Sequence, residues 1–305
     1  MWSARSFNRS VTRLKASASA TMSSELDIKN YFEFAKELTL EAGEIFKCGF
    51  EGAKSVKFKD HEWDLVTDYD TKIEELFTKR LREKFPSHEF IGEETFAKTK
   101  EKPILTDKPT WIIDPIDGTT NFVNSFPHTC ISVALSVYKE IVVGIIYNPL
   151  TEELYTAMKG KGAFLNGKPL KSSCVTELKE ALIDLELFSL RFHAKNRDIR
   201  MGRFEAITSV ARGVRYMGSA ALSMAYIAKG ALDCMQADGL QPWDAAAGLL
   251  LIREAGGTVV DTKVDEYDFM KPRTIAAGSD KLALQVKQLL IDTDLKTMRK
   301  RLTKV

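Results

Sequence analysis

The stretch WIIDPIDGTTNF, residues 111–122, joins an apolar strand to a group of polar side chains. Its apolar start predicts a buried strand, and two carboxylates, Asp114 and Asp117, follow directly. Pro115 restricts the backbone between them, so a rigid bend could aim both carboxylates and the Ile116 carbonyl at one point. Such oxygen ligands are those that Mg²⁺ prefers.

The next residues, Gly118, Thr119 and Thr120, predict the start of a helix. Glycine lets a ligand approach the backbone closely, and the first N–H groups of a helix have no internal partners, which favours phosphate binding. Metal ligands beside an anion site predict a metal-bound phosphate. Asp and Gly are also routine turn residues, so a plain loop is the alternative.

Further acidic residues favour the functional interpretation. Glu93 and Glu94 follow a short predicted strand in HEFIGEET. Asp70 lies just before an amphipathic helix, where it serves either as an N-cap or in the site. Asp244 begins the apolar helix of QPWDAAAGLLLIREAGG and is either a cap or a metal ligand.

The apolar pattern predicts an alternation of helices and strands along the whole chain. Helical spacing predicts helices over residues 28–50 and 70–85, and mixed strands followed by alternating strands and helices predict a layered α+β or α/β fold. We expect four parts. Residues 1–24 form a basic leader, and residues 25–170 carry most metal ligands. Residues 171–295 close the site, and residues 296–305 form a basic tail.

The segment GAFLNGKP, residues 162–169, has the spacing of a nucleotide-binding loop. Pro169 replaces the Ser or Thr that would bind Mg²⁺ there, whereas Asn166-Gly167 is typical of a tight hairpin turn. We therefore predict a turn.

Composition excludes several classes of protein. The 305 residues include 44 basic and 42 acidic side chains, and a net charge of +2 argues against a dedicated nucleic-acid binder. No apolar run is long enough for a membrane span. The four scattered cysteines predict reduced core residues of a cytoplasmic protein: Cys48, Cys130, Cys174 and Cys234.

The leader, residues 1–24, contains no acidic residue and places Arg5, Arg9 and Arg13 at helical spacing. This composition predicts either a mitochondrial transit peptide or a disordered basic tail. The C-terminal tail is most simply a solvated helix end.

FIGEE, WIIDPIDGTTNF and PWDAAAGLLLIREAGG together resemble, in order and spacing, the signature motifs of the inositol monophosphatase family over residues 28–290. The resemblance implies a five-layered αβαβα sandwich, usually a homodimer. It also implies Mg²⁺-dependent, Li⁺-sensitive hydrolysis of a small phosphate monoester.

The same resemblance implies two metal sites and a looser third. Glu93, Asp114 and the Ile116 carbonyl would bind one ion. Asp114, Asp117 and Asp244 would bind a second, and the third would touch Glu93.

Catalytic roles follow from the resemblance as well. Glu93 and Thr119 would orient the attacking water, with Asp70 hydrogen-bonded to Thr119, while Lys59 and Glu94 match outer positions. No covalent nucleophile is needed. The four histidines lie in no nucleophile motif and are interpreted as structural or surface residues: His61, His88, His128 and His193.

The resemblance assigns the backbone of Gly218, Ser219 and Ala220 to the substrate pocket. Ser219 could also simply cap the next helix, and both roles are compatible. The complete set of implied substrate-binding residues is Asp117, Gly118, Thr119, Thr120, Gly218, Ser219, Ala220 and Asp244.

One position departs from the family pattern. In animal members, a Glu that contacts the inositol hydroxyls lies seven residues before the aspartate of the PWD motif. This chain has Ala237 at that position, seven residues before Asp244. Asp238 could replace the Glu only if the backbone shifts.

We therefore expect an inositol-1-phosphate phosphatase. The alternatives are a related enzyme acting on a sugar phosphate, histidinol phosphate or a nucleotide 3′-phosphate, and a metal-binding scaffold without turnover.

Overall fold

The computed structural model describes residues 4–59, 65–186 and 196–303, with side chains from residue 27 onward. The helices are α1 (Ala4–Glu51), α2 (Asp68–Lys84), α3 (Glu93–Thr99), α4 (Thr119–Val123), α5 (Arg197–Thr208), α6 (Ala220–Ala228), α7 (Pro242–Glu254) and α8 (Asp280–Leu302). The strands are β1 (Val56–Phe58), β2 (Leu65–Thr67), β3 (Glu89–Gly92), β4 (Thr110–Asp117), β5 (Cys130–Val137), β6 (Glu140–Asn148), β7 (Glu153–Met158), β8 (Ala163–Leu165), β9 (Lys168–Pro169), β10 (Leu182–Glu186), β11 (Gly213–Arg215), β12 (Cys234–Asp238), β13 (Thr258–Asp261) and β14 (Arg273–Ala277).

Two large sheets organise the fold. The first contains seven strands in the order β3-β4-β5-β6-β7-β8-β9, and the second contains five in the order β11-β10-β12-β14-β13. Helices α1 and α2 cover the outer face of the first sheet, and α5 and α8 pack together beside the second. Helices α6 and α7 lie between the sheets. The five layers confirm the predicted αβαβα sandwich.

Three apolar clusters fill the spaces between these layers. In the cluster between the first sheet and its outer helices, α1 buries Leu38 and Phe46, and α2 buries Phe77 and Leu81. These residues recur at helical spacing, so the helices predicted over 28–50 and 70–85 are confirmed.

The two central strands of the first sheet, β5 and β6, are buried on both faces, which explains their nearly continuous apolar sequences. Helix α7 lies so close to this sheet that a Cβ at Gly144 would be 2.7 Å from the Ala247 carbonyl oxygen. Glycine at this point therefore allows the middle layer to approach the sheet.

The predicted hairpin turn is confirmed between β8 and β9. Asn166 and Gly167 have φ values of 48° and 77°, the left-handed pair that a tight hairpin requires.

The cysteine prediction is only half right. All four thiols are free, but Cys48 and Cys174 are exposed, and only Cys130 and Cys234 belong to the core. Cys48 lies at an outward-facing position of α1, and Cys174 lies in the stretch of chain that joins β9 to β10.

The leader continues the backbone of α1 toward Ala4, and its role as a transit peptide or tail stays a prediction. Helix α8 extends through the predicted basic tail to Leu302. Across residues 4–59, 65–186 and 196–303, no helix has the length and apolar character needed to cross a membrane.

Candidate metal and phosphate site

Three carboxylates from two layers converge. Asp114, Asp117 and Asp244 each offer one oxygen atom, and these atoms lie within 4.8 Å of one another. We call these three residues the acidic cluster. Asp117 was expected in the turn after the strand but is the last residue of β4, because pairing with β5 breaks after Asp114 and resumes between Asp117 and Cys130.

Burial and mutual repulsion destabilise the charged forms of the acidic cluster. Burial, with the charges of Glu93 and the other two carboxylates, raises the pKa of Asp114 well above its ordinary value. Burial and the charge of Asp117 do the same to the pKa of Asp244. Burial raises the pKa of Asp117 to about 6, although hydrogen bonds from Ser219 and a backbone N–H oppose the shift. A bound cation would remove this penalty.

The bend around Pro115 organises the first motif. The Ile116 N–H donates to Asp114 Oδ1 at 3.0 Å, which fixes that carboxylate against the chain. The Ile116 carbonyl accepts the Thr119 hydroxyl at 3.1 Å. The same hydroxyl lies 3.4 Å from Asp70 Oδ1, so the structure brings the predicted Asp70–Thr119 pair together.

Asp70 does not occupy the N-cap position that one alternative assigned to it. Thr67 is the N-cap of α2, because its β conformation and hydroxyl suit that position. Asp70 is the partner in a capping box, and its Oδ2 accepts the Thr67 N–H at 2.8 Å and the Thr67 hydroxyl at 2.5 Å. Its other oxygen faces Thr119, so Asp70 takes part in the capping box and also lies beside Thr119. Burial raises the pKa of Asp70 to about 6.

The two glutamates that begin α3 share one lysine. Lys59 Nζ donates to Glu93 at 2.6 Å and to Glu94 at 2.7 Å, and the lysine side chain is buried. Burial alone would lower the pKa of Lys59, but the two carboxylates outweigh it and raise that pKa. Burial and the charge of Glu93 raise the pKa of Glu94 to about 8. Lys59 thus neutralises part of the charge that flanks the acidic cluster.

Sequence reasoning missed Glu74, which holds the start of α3. Its carboxylate accepts the backbone N–H groups of Glu94 and Thr95 at 2.7 and 2.8 Å. A Cβ at Gly92 would lie 2.6 Å from the Glu74 carboxyl carbon, so a side chain there would displace the Glu74 carboxylate. The available signal was a carboxylate on the buried face of α2, one helical turn after Asp70.

The predicted helix start after β4 is confirmed as the short α4. Gly118 is its N-cap with φ of 82°, Thr119 is half-buried and Thr120 is exposed. A Cβ at Gly118 would lie 2.9 Å from the Gly218 carbonyl oxygen, so two glycine-containing loops meet here. Asn121, which sequence reasoning missed, donates to the carbonyls of residues 128 and 217 at 2.7 and 2.9 Å and joins these loops.

The Gly218-Ser219-Ala220 segment contacts the acidic cluster directly. The Ser219 hydroxyl donates to Asp117 Oδ2 at 2.5 Å, and the Ala221 N–H donates to the same oxygen at 2.8 Å. Ser219 does occupy the N-cap position of α6, but its hydroxyl makes no capping hydrogen bond and donates to Asp117. The free N–H groups at the start of α6 favour a nearby negative charge, and the Asp117 carboxylate supplies it.

Asp244 caps a helix and also lies in the acidic cluster. Its Oδ2 accepts the Gln241 N–H at 2.7 Å in a capping box of α7, and its carboxylate also belongs to the acidic cluster.

The position of the family departure is buried. Ala237 is fully buried in β12, and the neighbouring Asp238 carboxylate accepts Arg203 Nη1 at 2.6 Å. Arg203 also donates to both oxygens of Asp294 on α8, at 2.7 and 2.6 Å. We call Arg203, Asp238 and Asp294 the arginine triad. Since Asp238 is engaged in it, Asp238 does not replace the missing carboxylate.

The described histidines have structural surroundings. His88 accepts the Trp111 indole N–H at 3.0 Å, and burial lowers the pKa of His128 to about 4. His61 and His193 lie outside the described residues.

Comparison with known proteins places these features in context. The sequence model of the "Inositol monophosphatase family" matches residues 27–292. Inositol monophosphatase 2 of Rattus norvegicus is 41% identical over 259 residues, covering 85% of this chain and 89% of the relative. Inositol monophosphatase 2 of Solanum lycopersicum is 42% identical over 253 residues, covering 83% and 95%. The solved structure of inositol monophosphate bound SaIMPase-II, from Staphylococcus aureus, has a TM-score of 0.73 and 27% identity, covering 90% of this chain and 100% of that one.

Proposed function

Because the chain belongs to the inositol monophosphatase family and is a metal-dependent phosphatase, we propose that it hydrolyses inositol 1-phosphate to inositol and phosphate. The observation that carries this proposal is the acidic cluster, built from two signature motifs and lying beside Glu93 and Thr119. The inositol monophosphate bound to a structural relative supports the same substrate class.

Mg²⁺, in two or three sites, is the proposed cofactor. The donors fit it, because they are carboxylate oxygens, the ligands that a hard cation prefers. Their burial and mutual repulsion leave negative charge that a cation would neutralise. We assign Glu93, Asp114 and the Ile116 carbonyl to one ion, and the acidic cluster to a second. When bound, the metal supplies a Lewis acid that lowers the pKa of water and neutralises phosphate charge.

Thr119 and Glu93 are the proposed catalytic residues, and Asp70 supports Thr119. The Thr119 hydroxyl has one proton, which it donates to the Ile116 carbonyl or to Asp70. In either case a lone pair of its oxygen is available to accept a hydrogen bond from the attacking water. Glu93, held by Lys59, would accept the second hydrogen bond of that water.

Substrate binding would use the two loops that meet beside the cluster. The backbone N–H groups of Thr119 and Thr120 would bind phosphate oxygens, where Gly118 permits close approach. The backbone of residues 218–220 would contact the alcohol part of the ester, since Ser219 joins that segment to Asp117.

The family resemblance further supports a homodimer and inhibition by Li⁺. The scattered free cysteines favour a cytoplasmic location, or a mitochondrial one if the leader acts as a transit peptide. Light scattering, Li⁺ titration and cell fractionation would test these three proposals separately.

The experiment is phosphate release by the purified chain with Mg²⁺. Inositol 1-phosphate should be the preferred ester beside glucose 1-phosphate, histidinol phosphate and adenosine 3′,5′-bisphosphate. Asp117→Asn should lower kcat/KM by roughly 1000-fold or more, because it weakens several kcal/mol of charge stabilisation. The matched control is Asp107→Asn, since that aspartate is exposed and pairs with Lys139 on the surface. Preference for another ester would overturn the substrate assignment, and no turnover of any ester would favour the scaffold.

A further inference from the structure

Glu186 supplies a carboxylate beside the position where the family pattern has lost one. It is the last residue of β10 and pairs directly with Ala237 of β12. These strands are parallel, so their carboxyl ends lie at the same edge of the second sheet. The edge therefore keeps an acidic side chain, displaced by one strand.

The Glu186 side chain is directed toward residues 218–220, the segment proposed to contact the alcohol part of the ester. Its Oε1 accepts the Gly218 N–H at 3.1 Å, and Gly218 adopts a left-handed conformation with φ of 76°. The next residue, Ser219, donates to Asp117 at 2.5 Å. Glu186 thus connects to the acidic cluster through two hydrogen bonds and one residue of backbone.

A charged carboxylate is energetically unfavourable at this position. Burial raises the pKa of Glu186 well above its ordinary value, and the charges of Asp184 and Asp117 add to the shift. A neutral amide would accept the Gly218 N–H without this penalty. Hydroxyl groups of a ligand, which donate hydrogen bonds, are a chemistry that would favour a carboxylate here.

Two other acidic side chains lie near Glu186. Asp184, on the same strand, is fully buried and faces Ser223 of α6. Asp238 is held by Arg203 in the arginine triad, and Ala237 has no polar side-chain atom. Glu186 is therefore the carboxylate that remains next to the segment proposed to contact the alcohol.

We propose that Glu186 is a specificity-determining residue that accepts hydrogen bonds from the hydroxyl groups of a polyol phosphate. This inference rests on the proposed function and deepens it, because it names vicinal hydroxyls as the feature that the pocket recognises. Glu186 takes no part in breaking the phosphate ester.

The test compares two esters in the full-length chain with Mg²⁺: inositol 1-phosphate, which carries hydroxyls, and phenyl phosphate, which does not. Glu186→Gln keeps an acceptor for the Gly218 N–H but removes the charge. We expect kcat/KM for inositol 1-phosphate to fall roughly tenfold, mainly through KM, as charge-assisted hydrogen bonds become neutral ones. The value for phenyl phosphate should fall far less. Glu180→Gln, at an exposed position before β10, is the matched control and should change neither value.

Equal losses with both esters would overturn the proposal and make Glu186 a positioning residue for the Gly218 loop. Unchanged values with both esters would overturn it as well. Failure of the proposed function is distinguishable, because it appears in the unmodified chain as absent or unselective hydrolysis of inositol 1-phosphate. Thermal unfolding of both variants would verify that they are folded.

Discussion

Buried carboxylates occur in two regions of this fold, with opposite solutions to the same electrostatic problem. In the arginine triad, one guanidinium on α5 binds a carboxylate at the end of β12 and another on α8. In the acidic cluster, Lys59 reaches only the flanking Glu93 and Glu94, and repulsion raises the pKa of Asp114 and Asp244. The charges of the arginine triad are neutralised within the chain, whereas those of the acidic cluster are left for the proposed metal to neutralise.

Removing the cation of the triad should produce the largest change in stability. Arg203→Ala would leave Asp238 and Asp294 mostly buried without their partner, and we expect a loss of about 3–5 kcal/mol in the free energy of unfolding. Urea unfolding measures this loss, with Arg212→Ala at an exposed position as the control. A loss below about 1 kcal/mol would mean that the triad contributes no more than a surface ion pair, and the contrast between the regions would disappear.

Asp184 provides an intermediate case, because it is fully buried beside the Ser223 hydroxyl and the Glu186 side chain rather than beside a cation. Burial raises its pKa from 3.8 to about 6. The folded state therefore binds this proton more tightly than the unfolded state, so the contribution to stability is complete below about pH 4 and is lost as the pH rises through about 6.

Asp184→Asn should accordingly be more stable than the unmodified chain by about 2 kcal/mol at pH 8, and the difference should vanish near pH 4. Chemical unfolding in chelator at several pH values measures this, with Asp107→Asn as the exposed control. Parallel curves for Asp184→Asn and the unmodified chain would show that a partner already satisfies Asp184 in solution.

The sequence could predict the parts of the fold and site that depend on local pattern. Apolar spacing predicted α1 and α2, and Asn166-Gly167 predicted the hairpin turn, because each depends on neighbouring residues. The grouping of Asp114, Asp117 and Asp244 came from motif resemblance, since no local rule brings the start of α7 to the end of β4.

Contacts that depend on register and packing were not predictable. Glu74 reaches α3 from α2, and Arg203 joins three elements that are far apart in the sequence. The pairing of Glu186 with Ala237 follows from the alignment of two parallel strands, which a single sequence does not specify. Ser219 at a helix start suggested a cap, but tertiary contact with Asp117 decides its partner.

Ser219 itself offers the finest test of how the cluster is prepared for its ligand. Its hydroxyl donates to Asp117 Oδ2, but the Ala221 N–H donates to the same oxygen and remains when the hydroxyl is removed. We expect Ser219→Ala to lower kcat/KM by about fivefold, near 1 kcal/mol, and to raise the Mg²⁺ concentration needed for half-maximal activity. Ser223→Ala is the matched control, because it removes a buried hydroxyl of the same helix that faces Asp184 rather than Asp117. A loss as large as that of Asp117→Asn would mean that the hydroxyl acts directly on the substrate. Equal effects of the two serine variants would instead mean that α6 responds to any lost hydroxyl, and that the bond to Asp117 has no special part in orienting the cluster.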